Sequence, residues 1–226
     1  MSATESILMI VTSHDRIDAD HATGLWFEEF AIPYGKFRDA GYTVVVASPR
    51  GGDTPIDARS LENYQPTAAS ETAKAALRGT RKLDATISAQ GFAAVFFPGG
   101  HGTMFDLPDN PQVQRLVREF AEADKVIASV CHGPACLVGV MLKDGTAFVK
   151  GRKVTAFTDS EERAVQLDEA MPFLLESRLR EQGATFVPAV DWADNVVVDG
   201  KLVTGQNPQS SASAADAVIR LLGSSG

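Results

Sequence analysis

The stretch Val126-Ile127-Ala128-Ser129-Val130 runs without a charge straight into Cys131-His132-Gly133-Pro134. Five apolar or small residues of this kind read as a buried strand. Pro134 to Met141 is apolar all round and reads as a deeply buried helix. A cysteine between the two sits on a sharp strand-to-helix turn. Such an elbow lifts a nucleophile above the end of a parallel sheet, with small residues two places to either side. Here those places hold Ser129 and Gly133.

Outward from this stretch, the same alternation recurs. Ile7–Val11, Tyr42–Ala47, Phe92–Phe97, Lys153–Ala156 and Thr185–Val187 are short apolar or β-branched runs and read as strands. Between them lie helical patterns. Gly24 to Asp39 carries Leu25, Phe30, Tyr34 and Phe37 at helical spacing, with Pro33 as a kink and Gly41 as the stop. Thr72 to Leu83 is Ala-rich. Asn110 to Ala123 opens on a capping residue followed by proline and sets Val113, Leu116, Val117 and Phe120 on one face. Glu161 to Glu181 is broken at Pro172, and Ala212 to Leu222 closes the chain. Val196–Val203 reads as a hairpin turning at Asp199-Gly200. Strand–helix alternation of this kind gives an α/β fold with a mostly parallel central sheet and helices on both faces. No linker divides the chain, so residues 1–226 are expected to form a single domain. The polar, irregular segment Pro49 to Ser70 is long for a loop, and long loops often build part of a site.

Composition narrows the function. The chain has 226 residues, 21 Lys+Arg against 29 Asp+Glu, and a formal net charge of -8. The acidic balance and the lack of any basic block argue against a nucleic-acid partner. Met1 to Ser6 lacks the basic run of a signal peptide. Val126 to Leu142, the most apolar stretch, is too short and too interrupted for a membrane span. A cytoplasmic protein with two reduced thiols, Cys131 and Cys136, is expected, the second as a core residue. Neither a Walker loop nor a dinucleotide fingerprint is present. The His14–His21 segment has metal-friendly residue types but matches no ligand spacing, and a solvated acidic loop is expected there, with no metal and no cofactor.

Ligands of open α/β sheets collect at the carboxyl ends of the strands. There, the start of the following helix is expected to favour the thiolate of Cys131, and the N–H of His132 points to where an oxyanion would form. After Phe97, the turn Pro98-Gly99-Gly100-His101-Gly102 offers further amides for that cradle, unless it is simply a tight turn. Asp106 and Asp109 read as caps of the next helix. Glu28-Glu29 lies beside Trp26, Phe27 and Phe30. A carboxyl turned inward among those rings would have a raised pKa and could trade protons near neutrality, though periodicity does not choose between the two. Asp159, Glu161 and Glu162 follow the strand ending near Phe157; one of them could orient His132, or all could serve the first turn of a helix.

With these residues in place, the sequence resembles the ThiJ/PfpI superfamily, and within it the glutathione-independent glyoxalase (glyoxalase III), heat-shock-protein-31-like branch. The resemblance spans nearly the whole chain. It rests on Thr23-Gly24 with Glu29 and Pro33, on Gly100–Asp106, on Val130–Pro134, on Phe157-Thr158-Asp159 with Glu162, and on Leu202–Pro208. It implies a flavodoxin-like three-layer sandwich and a homodimer. It also implies Cys131 as nucleophile, Glu29 as its protonatable partner, His132 as neighbouring acid/base, Glu162 as the acid of a Cys-His-acid triad, and Gly100 and His132 as the oxyanion cradle. Where the family pattern reads Val-Gly-Glu, this chain has Ser160-Glu161-Glu162. The implied reaction turns methylglyoxal or a related 2-oxoaldehyde into a 2-hydroxy acid through a Cys131 hemithioacetal, without a redox cofactor. The competing expectations are a cysteine amidase or peptidase, a deglycase of glycated proteins, and a chaperone or redox sensor whose Cys131 is oxidised.

Overall fold

Residues 5–62 and 64–223 are described by the structure, a computed structural model. The expectation for Met1–Thr4 lies outside the described residues. The alternation of side chains along the strands builds two cores at once. In β1 (Ser6–Ile10), Leu8 and Ile10 enter one core, whereas Ile7 and Met9 enter the other. In β4 (Ala94–Phe97), Val95 and Phe97 part from Ala94 and Phe96 in the same way. A strand apolar on both faces must be covered on both, which is the arrangement expected of a parallel sheet between helical layers.

The sheet also contains β2 (Thr43–Ser48), β3 (Arg81–Lys82), β5 (Val126–Val130), β8 (Val196–Asp199) and β9 (Leu202–Gly205), in the order β3-β2-β1-β4-β5-β9-β8. All its neighbours run parallel except β8, which pairs antiparallel with β9 through the expected hairpin. One face is covered by α1 (Phe27–Asp39) and by the closing helix Ser211–Gly223, which pack on each other. The other carries the helix Pro111–Glu122, whose Val113, Leu116, Val117 and Phe120 are buried as the sequence pattern requires and whose cap is Asn110. From β1 the chain crosses to β2 on one side and later returns to β4 on the other. The strand order thus reverses beside β1, where α/β folds hold their ligands.

Several expectations shift. The first helix begins at Phe27, because Leu25 is drawn into backbone bonds with Pro55 and Asp57; it continues through Pro33. The Ala-rich helix occupies Ala68–Ala76, where Thr67 and Ser70 form a capping box, rather than 72–83. Lys153–Val154 (β6) and Thr185–Phe186 (β7) pair with each other in a separate two-stranded sheet. Glu161 to Glu181 resolves into two helices, Asp159–Ala164 and Leu175–Glu181. The expected helix at Pro134 to Met141 is a 3-10 turn over Gly133–Leu137, ended when Val138 turns extended and Gly139 adopts a φ of 76°.

Candidate functional site

Cys131 holds φ at 60°, the left-handed region that a residue with a Cβ enters only when its surroundings enforce it. Both sides of the residue are pinned. Its N–H donates to Gly205 O at 3.0 Å, at the end of β9, and its carbonyl accepts from Phe157 N at 2.9 Å. The following turn fits only because residue 133 is glycine: a Cβ there would lie 2.1 Å from Phe97 O. The expected elbow is therefore present, and Ser129 is fully buried two places before the cysteine.

Three protein groups converge on the sulfur. The first is His132, whose Nδ1 lies 3.3 Å from Sγ. Its Nε2 lies 2.6 Å from Glu162 Oε2. The second oxygen of the same carboxylate, Oε1, lies 2.7 Å from Nε2 of His101. Burial opposes ionisation of Glu162, yet the imidazoles of His132 and His101 hold its carboxyl well below the usual carboxylate range. His101 itself is pushed down to about 4, by burial and then by the neighbouring His132, so its imidazole is neutral. With both Nε2 atoms donating to the carboxylate, Nδ1 of His132 is left as an acceptor facing the thiol.

The second group is Glu29, which is fully buried whereas Glu28 is exposed. That settles the choice periodicity left open. Glu29 Oε2 accepts from Gly99 N at 2.7 Å. Oε1 has no conventional hydrogen-bond partner; the carboxyl couples instead to the Cys131 thiol. Burial raises this carboxyl to about 8, against smaller lowering effects of Cys131 and the Gly99 amide, so it carries its proton at neutral pH. The third group is the amide of His132, which favours the thiolate, though less than burial and Glu29 oppose it. Neither this N–H nor that of Gly100 is taken by a backbone carbonyl among the described residues, and Gly100 lines the same cavity as Cys131. These are the positions expected of an oxyanion cradle.

One electrostatic expectation is overturned. The thiol of Cys131 is raised well above its ordinary value, not lowered, first by burial and then by Glu29. Cys131 is only 3% exposed, and the five-residue 3-10 turn after it replaces the helix start that was expected to favour the thiolate. Cys136 is fully buried in the core, as expected.

The three acids after Phe157 separate cleanly. Glu162 meets the histidines. Glu161 closes a capping box with Thr158 and accepts from Trp192 N at 2.8 Å and Asn207 Nδ2 at 2.9 Å. Asp159 bonds Ser177. Asp106 caps nothing: it receives Thr12 Oγ1 and Ser13 N, tying down the chain after β1, while Asn110 alone caps the next helix. The His14–His21 segment is an exposed loop apart from the half-buried His14 and Ile17, with a His21–Asp18 pair at 2.7 Å. Among the described residues, the side chains whose donor atoms gather tightly enough for a cation are His101, His132 and Glu162, within 4.8 Å of one another; Glu162 already satisfies one nitrogen of each ring.

Sequence reasoning missed the second histidine and the cavity walls. His101 stood in view only as part of a glycine turn. Trp26, Arg59, Phe157 and Trp192 line a cavity of about 300 Å³ that opens onto Cys131. They come from four separate segments, and no local pattern joins them.

Sheet, elbow and acid-flanked cysteine together define a flavodoxin-like α/β protein. The chain belongs to the DJ-1/PfpI family, which matches residues 22–221. Among curated relatives it is 36% identical to the glutathione-independent glyoxalase hsp3101 of Schizosaccharomyces pombe, over 88% of this chain and 87% of that one. Among solved structures it superposes on glyoxalase III of Candida albicans with a TM-score of 0.88 at 28% identity, covering 96% of this chain and 97% of the other. It also superposes on the Rapid Encystment Protein 24 kDa of Francisella tularensis, with a TM-score of 0.91 at 32% identity, over 97% and 99% of the two chains. No helix among the described residues is long and apolar enough to cross a membrane.

Proposed function

We propose that this protein is a glutathione-independent glyoxalase that converts methylglyoxal or related 2-oxoaldehydes to 2-hydroxy acids through Cys131. The observation that carries the reading is Glu29: a fully buried carboxyl, raised to about 8, coupled to the thiol. Peptide or amide hydrolysis needs only the Cys131-His132-Glu162 chain and a cradle. Moving a proton between two adjacent carbons needs a further group that both takes and returns it near neutral pH.

In this mechanism, Sγ attacks the aldehyde carbon C1 as its proton passes to His132 Nδ1. Because the resting thiol is protonated, this transfer is what makes the nucleophile, and Glu162 stabilises the imidazolium that results. The C1 oxyanion, held by the amides of His132 and Gly100, takes the proton back from His132 and gives a hemithioacetal. Glu29, as carboxylate, removes the C1 hydrogen; the hydroxyl proton moves from the C1 to the C2 oxygen; Glu29 then delivers its proton to C2. C1 is oxidised to a thioester and C2 reduced to an alcohol, so the electrons balance within the substrate. Water, activated by His132, cleaves the thioester and the sulfur recovers its proton. A homodimer in the cytoplasm belongs to the same proposal on the strength of the family resemblance, and light scattering tests the dimer. The direct test of function is lactate formation from methylglyoxal without glutathione. Cys131→Ala should abolish it, and Glu29→Gln should lower kcat by at least about a hundredfold. Undiminished turnover by either variant contradicts the mechanism.

A further inference from the structure

A three-carbon oxoaldehyde leaves most of the cavity empty, since about 300 Å³ is the liquid volume of roughly ten waters. What fills the remainder must suit its walls. Trp26, Phe157 and Trp192 supply flat apolar surface, with the last two rings meeting edge-on at 5.6 Å. The cation in the lining is Arg59, from the 3-10 turn Ala58–Leu61.

The guanidinium is fixed by one edge. Its Nε and Nη2 donate to Asp57 Oδ1 and Oδ2 at 2.9 and 2.6 Å, and the Asp57 carboxylate is anchored in turn by Thr23 Oγ1 and by the amide of Arg59. Asp57 is 1% exposed, whereas the Arg59 side chain is 39% exposed. Three of the five guanidinium protons, on Nη1 and on the outer side of Nη2, have no partner among the described residues. They form the forked end that takes a carboxylate through two parallel bonds. Its other charged neighbours are Glu162, whose two oxygens are already engaged by His132 and His101, and the exposed Glu62.

From this arrangement we propose that the cavity selects 2-oxoaldehydes with a flat apolar body and a carboxylate at the end remote from the reacting carbons, the body lying among the aromatic rings and the carboxylate on Arg59. As a statement about substrates it rests on the glyoxalase reading above; as a statement about binding it does not.

Binding can be followed without turnover, because the chain has two tryptophans and both line the cavity. Mandelate, 4-carboxymandelate and 4-carbamoylmandelate, whose para group is an uncharged isostere of the second carboxylate, are titrated against tryptophan fluorescence. The expected result is that 4-carboxymandelate binds about tenfold tighter than either of the others, the worth of one charged hydrogen-bonded contact open to solvent on one side. The advantage should shrink with added salt and vanish in Arg59→Gln. In kinetics, kcat/KM of the wild type should favour 4-carboxyphenylglyoxal over phenylglyoxal by a similar factor. Equal affinity for the three acids, an advantage shared by the carbamoyl compound, or an advantage that survives in Arg59→Gln would each overturn the proposal. The comparison among the three acids and its salt dependence use the wild type alone, so it stands even if the variant does not fold. A wild type that keeps the binding order but makes no lactate from methylglyoxal would defeat the glyoxalase reading and leave the anion site in place.

Discussion

Glu29 and Cys131 both rest uncharged. Burial raises the carboxyl to about 8 against a smaller lowering effect of the thiol, and the thiol is held well above its usual value first by burial and then by the negative charge Glu29 would carry. This has a consequence for stability. An unfolded glutamate ionises near 4.5, whereas the folded one holds its proton to about 8. Between those values the native state binds more protons than the unfolded state, so stability falls as pH rises from about 4.5 to about 8 and levels off above. Glu29→Gln removes this slope: its melting temperature should rise relative to the wild type on going from pH 5 to pH 8, by an amount worth a few kcal/mol. A wild-type minus variant difference that does not change with pH would count against the burial of a protonated Glu29. Turnover should run the other way, rising toward pH 8 as the carboxylate needed at C1 forms.

At the scale of elements, the elbow depends on close backbone approach. Gly133 passes so near Phe97 O that Gly133→Ala should destabilise the protein by about 2–3 kcal/mol or more and displace Cys131; chemical denaturation beside a thiol-reactivity assay checks both. A variant with wild-type stability would mean the turn has slack. The 187–195 segment is held differently. Glu161 binds the amide of Trp192 and the amide groups of Gln206 and Asn207, so the wall over Phe157 hangs on a carboxylate that touches no reacting atom. Glu161→Leu should raise KM more than it lowers kcat and broaden the Trp192 emission; an equal loss in both would place Glu161 in the chemistry instead. Much of this was legible from sequence. Cys131, His132 and Gly133 announce the elbow by spacing alone, and Asn110-Pro111 announces a helix start. The helix after the elbow was not legible, because apolar residues without a polar face fit a buried turn as well as a helix. Nor could periodicity separate Glu28 from Glu29, or Glu161 from Glu162: adjacent acids differ only in which way the folded backbone turns them.

At the scale of the whole molecule, the site stands where β1, β4 and β5 deliver their carboxyl ends, and both cores hold those strands in register. Phe96 belongs to the core under α1, and its ring meets Phe37 at 5.5 Å. Phe96→Ala should cost about 3–5 kcal/mol in denaturant unfolding. The α/β class and the parallel sheet followed from strand–helix alternation. The cavity did not, because its walls come from segments as far apart as Trp26, Arg59, Phe157 and Trp192, brought together only in the folded chain. The account as a whole is tested most directly by following lactate released from methylglyoxal, with glutathione absent, across wild type, Cys131→Ala and Glu29→Gln in one series. It predicts steady release by the wild type alone; lactate formed at the wild-type rate by the Glu29→Gln protein would contradict it.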